Sequence, residues 1–334
     1  MNETTQRPRG WTTIAGRRLV LATMTLVLSA AAATLQAQTD RFDNFRMRKA
    51  VPLQQKEVAP GLYFLYDDIS SNSAFLVTDE GVLVIDTRQH PAHGRDLVER
   101  IRKITDKPIK WVVNTHAHGD HFLGNPAFKA EGATIIAHRD TVAGIVKNQV
   151  LEVKRRQAFF KSMKLDPAEV KIVLPDMTFD SRLTIQLGNR VVEIMYLGAG
   201  QNPGDTLVYF PHARALYVGG PFANHNWSNM SFTPSVDGWI ALLEKIADMP
   251  NVDMYLPGHG DVGTRDDVLL EAQLLTDVQR EVKAALAAGM TKEEMVAKLR
   301  FPQYAGLRNY DRINVFIEAL HHLYTTGKPL FAYP

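Results

Sequence analysis

The distribution of apolar residues divides the chain from residue 61 onward into short runs separated by turn-forming residues. Runs at 61–66, 73–78 and 82–86 are strand-like, and Asp, Ser, Asn and Gly residues separate them. We expect these three strands to pair as an antiparallel meander. Residues 90–104 instead repeat apolar side chains at helical spacing, which predicts an amphipathic helix.

The same alternation of strands and helices continues to residue 162. A short apolar run that begins at Trp111 predicts a buried strand. Further on, Lys154, Arg155 and Arg156 form a charge run within a predicted long helix, and we interpret it as a solvated helix face. The other predicted elements here are a short helix at 126–130, a strand at 134–137 and the long helix at 140–162.

A second block of strands, followed by helices, fills the rest of the chain. Gly188-Asn189 lies between two apolar runs and predicts a tight hairpin. Thr291-Lys-Glu-Glu has the pattern of a capping box and opens another helix. The predicted strands lie at 182–187, 190–196, 206–210, 215–219 and 254–257, and the predicted helices at 236–247, 265–288, from 291, and at 311–326.

Two blocks of strands, each followed by helices and with no dividing linker, predict one α/β or α+β domain with a two-sheet core and helices outside. The 334 residues are 45% hydrophobic and 22% charged, which is typical of a globular protein with a full core. The chain has no cysteine. Disulfides, thiolate metal ligands and a cysteine nucleophile are therefore excluded.

The N-terminal 37 residues have the composition of an export signal. A basic part ends at Arg17-Arg18, an apolar stretch covers 19–28, and small residues lead to Ala37. We therefore expect a signal peptide at 1–37, an N-terminal arm at 38–60, and a periplasmic or secreted location for the domain at 61–334. The segment holds four arginines and one glutamate, so the remainder is nearly neutral. That charge argues against a nucleic-acid or membrane partner and leaves a small-molecule substrate.

A cluster of potential metal ligands follows the Trp111 strand. His116 and His118 are two residues apart, so in an extended segment their side chains point to the same side. Gly119 lets the chain turn, and Asp120 and His121 then face the same centre from the other side. Three imidazoles and one carboxylate are typical ligands of Zn²⁺. We therefore predict a site that holds one or two zinc ions.

The sequence His116-Ala-His118-Gly-Asp120-His121 resembles the H-x-H-x-D-H signature of the metallo-β-lactamase superfamily. Pro257-Gly258-His259-Gly260 is similar to its last metal-binding motif. The resemblance implies a four-layer αββα sandwich with the metal at the sheet edge, here with extra C-terminal helices from about residue 291. It also implies that Asp120, His121 and His259 hold one metal, and that Asp120 orients the attacking water.

Two further segments depart from the family pattern. Residues 197–206 are similar to its G-H-T-x-G-D segment, but Gln201 stands where a histidine is expected. Gly220 stands where the family usually has a bridging aspartate. Gln201 is then a weak candidate ligand, because an amide oxygen is a poorer and uncharged donor. The metal held by His116 and His118 should be bound less tightly.

Other candidate residues follow the strand that ends near Gly220. His225 is a candidate for a substitute ligand or a substrate contact, and a plain loop histidine is the alternative. Phe222, Trp227 and Phe232 are candidates for an apolar wall that binds substrate, with local packing as the alternative. Asp86, at the end of a predicted strand, lies where the superfamily often has an aspartate near the metal, and a strand-end or helix-capping role is equally expected.

The resemblance implies an exported zinc-dependent hydrolase. Its metal-bound hydroxide would attack an ester, lactone or amide carbonyl, β-lactams being one candidate. The other hypothesis is a degenerate member that binds metal or a ligand without turnover, because Gln201 and Gly220 replace expected ligands. The zinc content of purified protein discriminates between the two hypotheses.

Overall fold

The computed structural model describes residues 53–67 and 70–331. The predicted signal peptide and most of the predicted arm lie outside the described residues, so both stay predictions. Within the described part, no helix combines the length and the apolar character needed to cross a membrane. The end of the predicted arm forms a strand, Gln54–Ala59. Its side chains are mostly exposed, so it lacks the apolar alternation by which strands are recognised.

Twelve strands form two sheets in the described part of the chain. The first sheet has the order β1-β2-β3-β4-β5-β6-β7 and the second the order β12-β11-β10-β9-β8. The strands are β1 (Gln54–Ala59), β2 (Leu62–Tyr66), β3 (Ser73–Val77), β4 (Val82–Ile85), β5 (Ile109–Asn114), β6 (Thr134–His138), β7 (Met177–Phe179), β8 (Arg182–Leu187), β9 (Arg190–Met195), β10 (Leu207–Phe210), β11 (Ala215–Ala223) and β12 (Met254–His259).

The helices cover the outer faces of the two sheets. They are α1 (Pro91–Arg102), α2 (Gly119–Phe122), α3 (Asn125–Ala130), α4 (Arg139–Lys154), α5 (Gln157–Ser162), α6 (Val236–Ala247), α7 (Arg265–Ala287), α8 (Lys292–Lys298) and α9 (Ile313–Thr326). The predicted capping box at Thr291 is confirmed, because its hydroxyl accepts from the Glu294 amide while Glu294 accepts from the Thr291 amide. The C-terminal helix α9 packs against both α7 and α8, and the core beneath these helices includes Met295 and Phe316.

Three apolar layers hold the elements together. Side chains of both sheets, such as Phe64 and Tyr217, meet in a core between the sheets. A second core lies between the first sheet and helices α1 and α3, and a third between the second sheet and helices α6, α7 and α9. The order of layers is therefore helix, sheet, sheet, helix, which confirms the expected αββα sandwich with added C-terminal helices.

The predicted meander is confirmed, because β2, β3 and β4 pair antiparallel in sequence. The hairpin at Gly188-Asn189 is confirmed as well, since β8 and β9 pair across it. The predicted long helix at 140–162 is wrong, because the chain forms two helices that break between Lys154 and Gln157. The predicted solvated face is wrong too. The side chains of Arg155 and Arg156 are only 9% and 10% exposed, and both contact Glu152.

Candidate metal centre

The candidate site lies where strands of the two sheets end side by side. Strands β4 and β5 are parallel, so Asp86 and the segment after Asn114 leave the first sheet at the same edge. His259 is the last residue of β12 in the second sheet. A backbone hydrogen bond from Thr206 to the Thr115 carbonyl, 2.9 Å long, joins the two edges. The fold therefore brings distant segments of the chain to one place.

Asp120, His121 and His259 form a group that we call the aspartate half of the site. Asp120 Oδ2 lies 3.4 Å from His259 Nε2 and 3.8 Å from His121 Nε2. One ligand atom from each residue lies within 4.8 Å of the others. Among the described residues, these three are the His, Cys, Asp and Glu side chains whose ligand atoms converge closely enough to hold one metal ion.

The donor atoms of the aspartate half suit a metal ion. His121 Nε2 is buried and has no hydrogen-bond partner in the described structure, which is costly for a polar atom unless something binds it. The Asp120 and His259 side chains are 16% and 31% exposed, so the group opens toward solvent on one side. Two imidazole nitrogens and a carboxylate oxygen with an open position match a catalytic zinc site.

Asp86 orients His121. Its Oδ2 lies 2.6 Å from His121 Nδ1, and its two oxygens also accept from the Thr115 amide and hydroxyl at 2.8 Å. Because Asp86 accepts a hydrogen bond from Nδ1–H, the other ring nitrogen keeps its lone pair free to bind a cation. Burial alone would lower the pKa of His121, but Asp86 and Asp120 raise it above its ordinary value. Asp86 therefore lies in the layer behind the candidate ligands.

His116, His118 and Gln201 form what we call the histidine half. His116 Nε2 and His118 Nδ1 lie 3.1 Å apart, and both residues are buried. Burial is the largest cause that lowers the pKa of both imidazoles, and that of His118 falls to about 3. Both rings are therefore neutral at physiological pH and able to bind a cation.

Gln201 is buried close to His116, and its amide oxygen already has a hydrogen-bond partner. Its Oε1 accepts a hydrogen bond of 3.1 Å from Asn202 Nδ2. Gly220 faces the same oxygen, and a Cβ added at that glycine would lie only 2.6 Å from it and 3.0 Å from His116 Cε1. The Gln201 side chain thus occupies the space that a side chain at position 220 would need.

The loop that carries Gln201 is fixed by Asp205. Its Oδ2 accepts from the Asn202 amide at 2.7 Å, and the carboxyl is fully buried. Burial raises the pKa of Asp205 to about 7, although the hydrogen bonds from Asn202 oppose this shift.

Three of the four candidate substrate residues lie away from the site. Phe222 and Trp227 are each 1% exposed in the core beneath the second sheet, where the Trp227 ring packs on Phe316 at 5.0 Å. Both residues therefore match the alternative that they pack locally, because neither ring is exposed to solvent. His225 is exposed and lies 3.1 Å from Asp267, so its side chain pairs with helix α7. Phe232 does reach the site, since its ring lies 4.6 Å from that of His118.

Sequence reasoning missed the residues behind Asp120. Arg156 Nη2 contacts Asp120 Oδ1, and Arg156 Nη1 contacts Glu152. Glu152 Oε2 also accepts from the Gly119 amide at 2.6 Å. Burial would raise the pKa of Glu152, but Arg155 and Arg156 lower it to about 2. A helical pair at i,i+4 was a visible signal for Glu152 and Arg156, whereas the contact with Asp120 joins distant residues.

Comparison with known proteins identifies the family. The family model of the metallo-beta-lactamase superfamily matches residues 66–259, and the chain belongs to that superfamily. The chain is 26% identical over 270 residues to a linear primary-alkylsulfatase of Pseudomonas sp., covering 70% of this chain and 51% of that protein. It is 24% identical over 216 residues to a metallo-beta-lactamase type 2 of Bacillus cereus, covering 64% of this chain and 76% of that protein.

A solved structure has a similar fold. A stereoselective inverting sec-alkylsulfatase from Pseudomonas sp. superposes with a TM-score of 0.65 at 18% sequence identity. The match covers 81% of this chain and 50% of that one. The chain therefore spans about half the length of the alkylsulfatases it matches. The matched relatives are hydrolases by name, and this supports a hydrolase at the level of the superfamily.

Proposed function

We propose that this protein is a zinc-dependent hydrolase that attacks the carbonyl of an ester, lactone or amide, with β-lactams among the candidate substrates. The convergence of Asp120, His121 and His259 is the observation that carries the proposal. A bound zinc ion supplies a Lewis acid and lowers the pKa of water from its bulk value to about 7. The partly exposed side of the group is where substrate and water have access.

The residues of the chain have separate roles in this proposal. His121 and His259 would hold the metal, and Asp86 holds the His121 ring so that Nε2 faces the site. Asp120 directs Oδ2 toward the same space. That oxygen would help to hold the metal, and the carboxylate would accept a hydrogen bond from the attacking water and so orient it.

Sulfate esters are a second candidate substrate class. The match to the alkylsulfatase covers 70% of this chain, compared with 64% for the Bacillus cereus metallo-beta-lactamase. A hydrolysis panel on zinc-loaded protein should therefore include β-lactams, lactones, aryl esters and alkyl sulfates. Zinc content measured on the same preparation addresses the non-catalytic alternative, because purified protein without metal would favour that hypothesis.

The Asp120→Ala substitution tests the proposal. It removes a ligand and the water-orienting oxygen, so we expect hydrolysis to fall by on the order of 1,000-fold or more. Asp253→Ala is the matched control, because Asp253 also pairs with an arginine, Arg214, but at an exposed position away from the site. Undiminished turnover by zinc-loaded Asp120→Ala protein would refute the assignment.

A further inference from the structure

Arg156 is a buried cation that contacts two carboxylates at once. One guanidinium nitrogen contacts Glu152 and the other contacts Asp120 Oδ1. The arginine side chain is 10% exposed, that of Glu152 is fully buried and that of Asp120 is 16% exposed. A buried ion pair of this kind has strict geometry, because each charge loses its water and must be compensated by its partners.

The metal-binding motif is shaped to admit this guanidinium. A Cβ added at Gly119 would lie 3.0 Å from Arg156 Nη1 and 3.1 Å from its Cζ. Glu152, which contacts Arg156, also accepts the hydrogen bond of the Gly119 amide. The turn that carries Asp120 and the break between helices α4 and α5 therefore fit together through Glu152 and Arg156.

The arginine contact distinguishes the two oxygens of Asp120. Oδ1 contacts Arg156, while Oδ2 faces His121 Nε2 and His259 Nε2. We propose that Arg156 is a positioning residue, which holds Asp120 so that it binds metal through Oδ2 alone and in one orientation. This inference rests on the proposed metal-dependent function, and it adds a residue on which the metal affinity of the site depends.

Without Arg156 the Asp120 carboxylate would lose its fixed orientation. Both of its oxygens would then compete for the metal, or the side chain would rotate toward solvent. Partners that orient a metal ligand from behind typically contribute 10- to 100-fold in metal affinity or activity. A lysine has a single ammonium group and cannot reproduce the two-pronged contact, although it keeps the charge.

The test measures binding of Co²⁺ alone to metal-free protein, by competition with a chromophoric chelator and by the visible absorption spectrum. We expect Arg156→Gln to raise the Kd for Co²⁺ by about 10- to 100-fold and to change the spectrum, because the coordination of Asp120 changes. We expect Arg156→Lys to lie between this variant and the original protein. If Arg156→Gln fails to fold, the lysine variant decides the matter by the same two measurements.

Arg155→Gln is the matched control. Arg155 is its neighbour, is equally buried and pairs with the same Glu152 at 2.7 Å, but its guanidinium lies over Phe232 and Phe331. We expect its Co²⁺ affinity to stay within about threefold of the original and its spectrum to be unchanged, because the ligand geometry is kept. Normal Co²⁺ binding by Arg156→Gln, or equal losses in both variants, would overturn the inference.

Failure of the proposed function gives a different result. A protein that binds Co²⁺ with the expected dependence on Arg156, but hydrolyses no member of the substrate panel, would contradict the function and support the positioning role. A protein that hydrolyses substrate, and whose Arg156→Gln variant binds Co²⁺ normally, would contradict the positioning role and support the function.

Discussion

In the aspartate half of the site, every candidate ligand has its own support. His121 is oriented by Asp86, Asp120 is held by Arg156, and His259 ends strand β12. In the histidine half, His116 Nε2 and His118 Nδ1 lie 3.1 Å apart, and the third candidate, Gln201, is an uncharged amide whose oxygen also accepts a hydrogen bond from Asn202. The chain therefore presents one set of three charged or imidazole candidate ligands and one set in which an amide takes the third place.

The difference explains why two unusual residues occur together. Gly220 removes the side chain that the family usually places between the two metals, and Gln201 fills the vacated space, 2.6 Å from where a Cβ would be. A side chain at position 220 would therefore require the Gln201 side chain to move. The two departures are therefore adjacent in space, and on the proposed function we expect one metal to be held more tightly than the other.

The largest expected effect is a difference in zinc affinity between two variants, each of which lacks one histidine from one half of the site. We expect His259→Ala to weaken zinc binding by on the order of 100-fold or more, because only two protein ligands remain there. We expect His118→Ala to cost less than about tenfold, because it belongs to the incomplete set. Isothermal titration of metal-free protein with zinc measures both values. Equal losses of zinc affinity in the two variants would contradict the difference between the two halves.

The second effect is a pH dependence confined to the aspartate half. Burial lowers the pKa of His121, but Asp86 and Asp120 raise it to a net value above 6.5, so this ring must lose a proton before it binds metal. Zinc affinity should therefore fall by about tenfold for each pH unit below that raised pKa. The pKa of His118 is lowered to about 3, so it adds no such dependence above pH 5. Titrations between pH 5 and 8 test this, and a flat affinity would contradict the role of His121.

The smallest effect is a gain in the histidine half. We expect Gln201→His to strengthen binding of a second metal by about tenfold, because an imidazole is a better zinc ligand than an amide. Gly220 leaves room beside the new ring. Zinc stoichiometry and affinity of the variant measure the gain. An unchanged second site would mean that residue 201 does not point at the metal.

Much of the fold follows from the sequence because apolar periodicity reports which face of an element is buried. Strands β2 to β4 and helix α6 have clear patterns, and their predicted positions are confirmed. Strand β1 has no such pattern, because among the described strands it lies at the exposed edge of its sheet, where it pairs with β2. The short motif from His116 to His121 placed the site, since those ligands are close in sequence.

The residues that position the candidate ligands are harder to predict, because their positions depend on contacts between distant segments of the chain. The charge run at residues 154–156 is interpreted as solvated by local pattern alone, yet Arg156 is buried by its contact with Asp120, which is far away in sequence. Asp86 is ambiguous for the same reason, because only the folded chain brings it to His121. Likewise, the hydrogen bond from Asn202 to Gln201 depends on a turn that spacing does not reveal.

Anomalous diffraction at the zinc absorption edge, from crystals of zinc-loaded protein, tests the difference between the halves most directly. We predict one strong zinc peak within bonding distance of Asp120 Oδ2, His121 Nε2 and His259 Nε2, and a weak peak or none between His116 and His118. Two peaks of equal occupancy, or a single peak in the histidine half, would contradict the account.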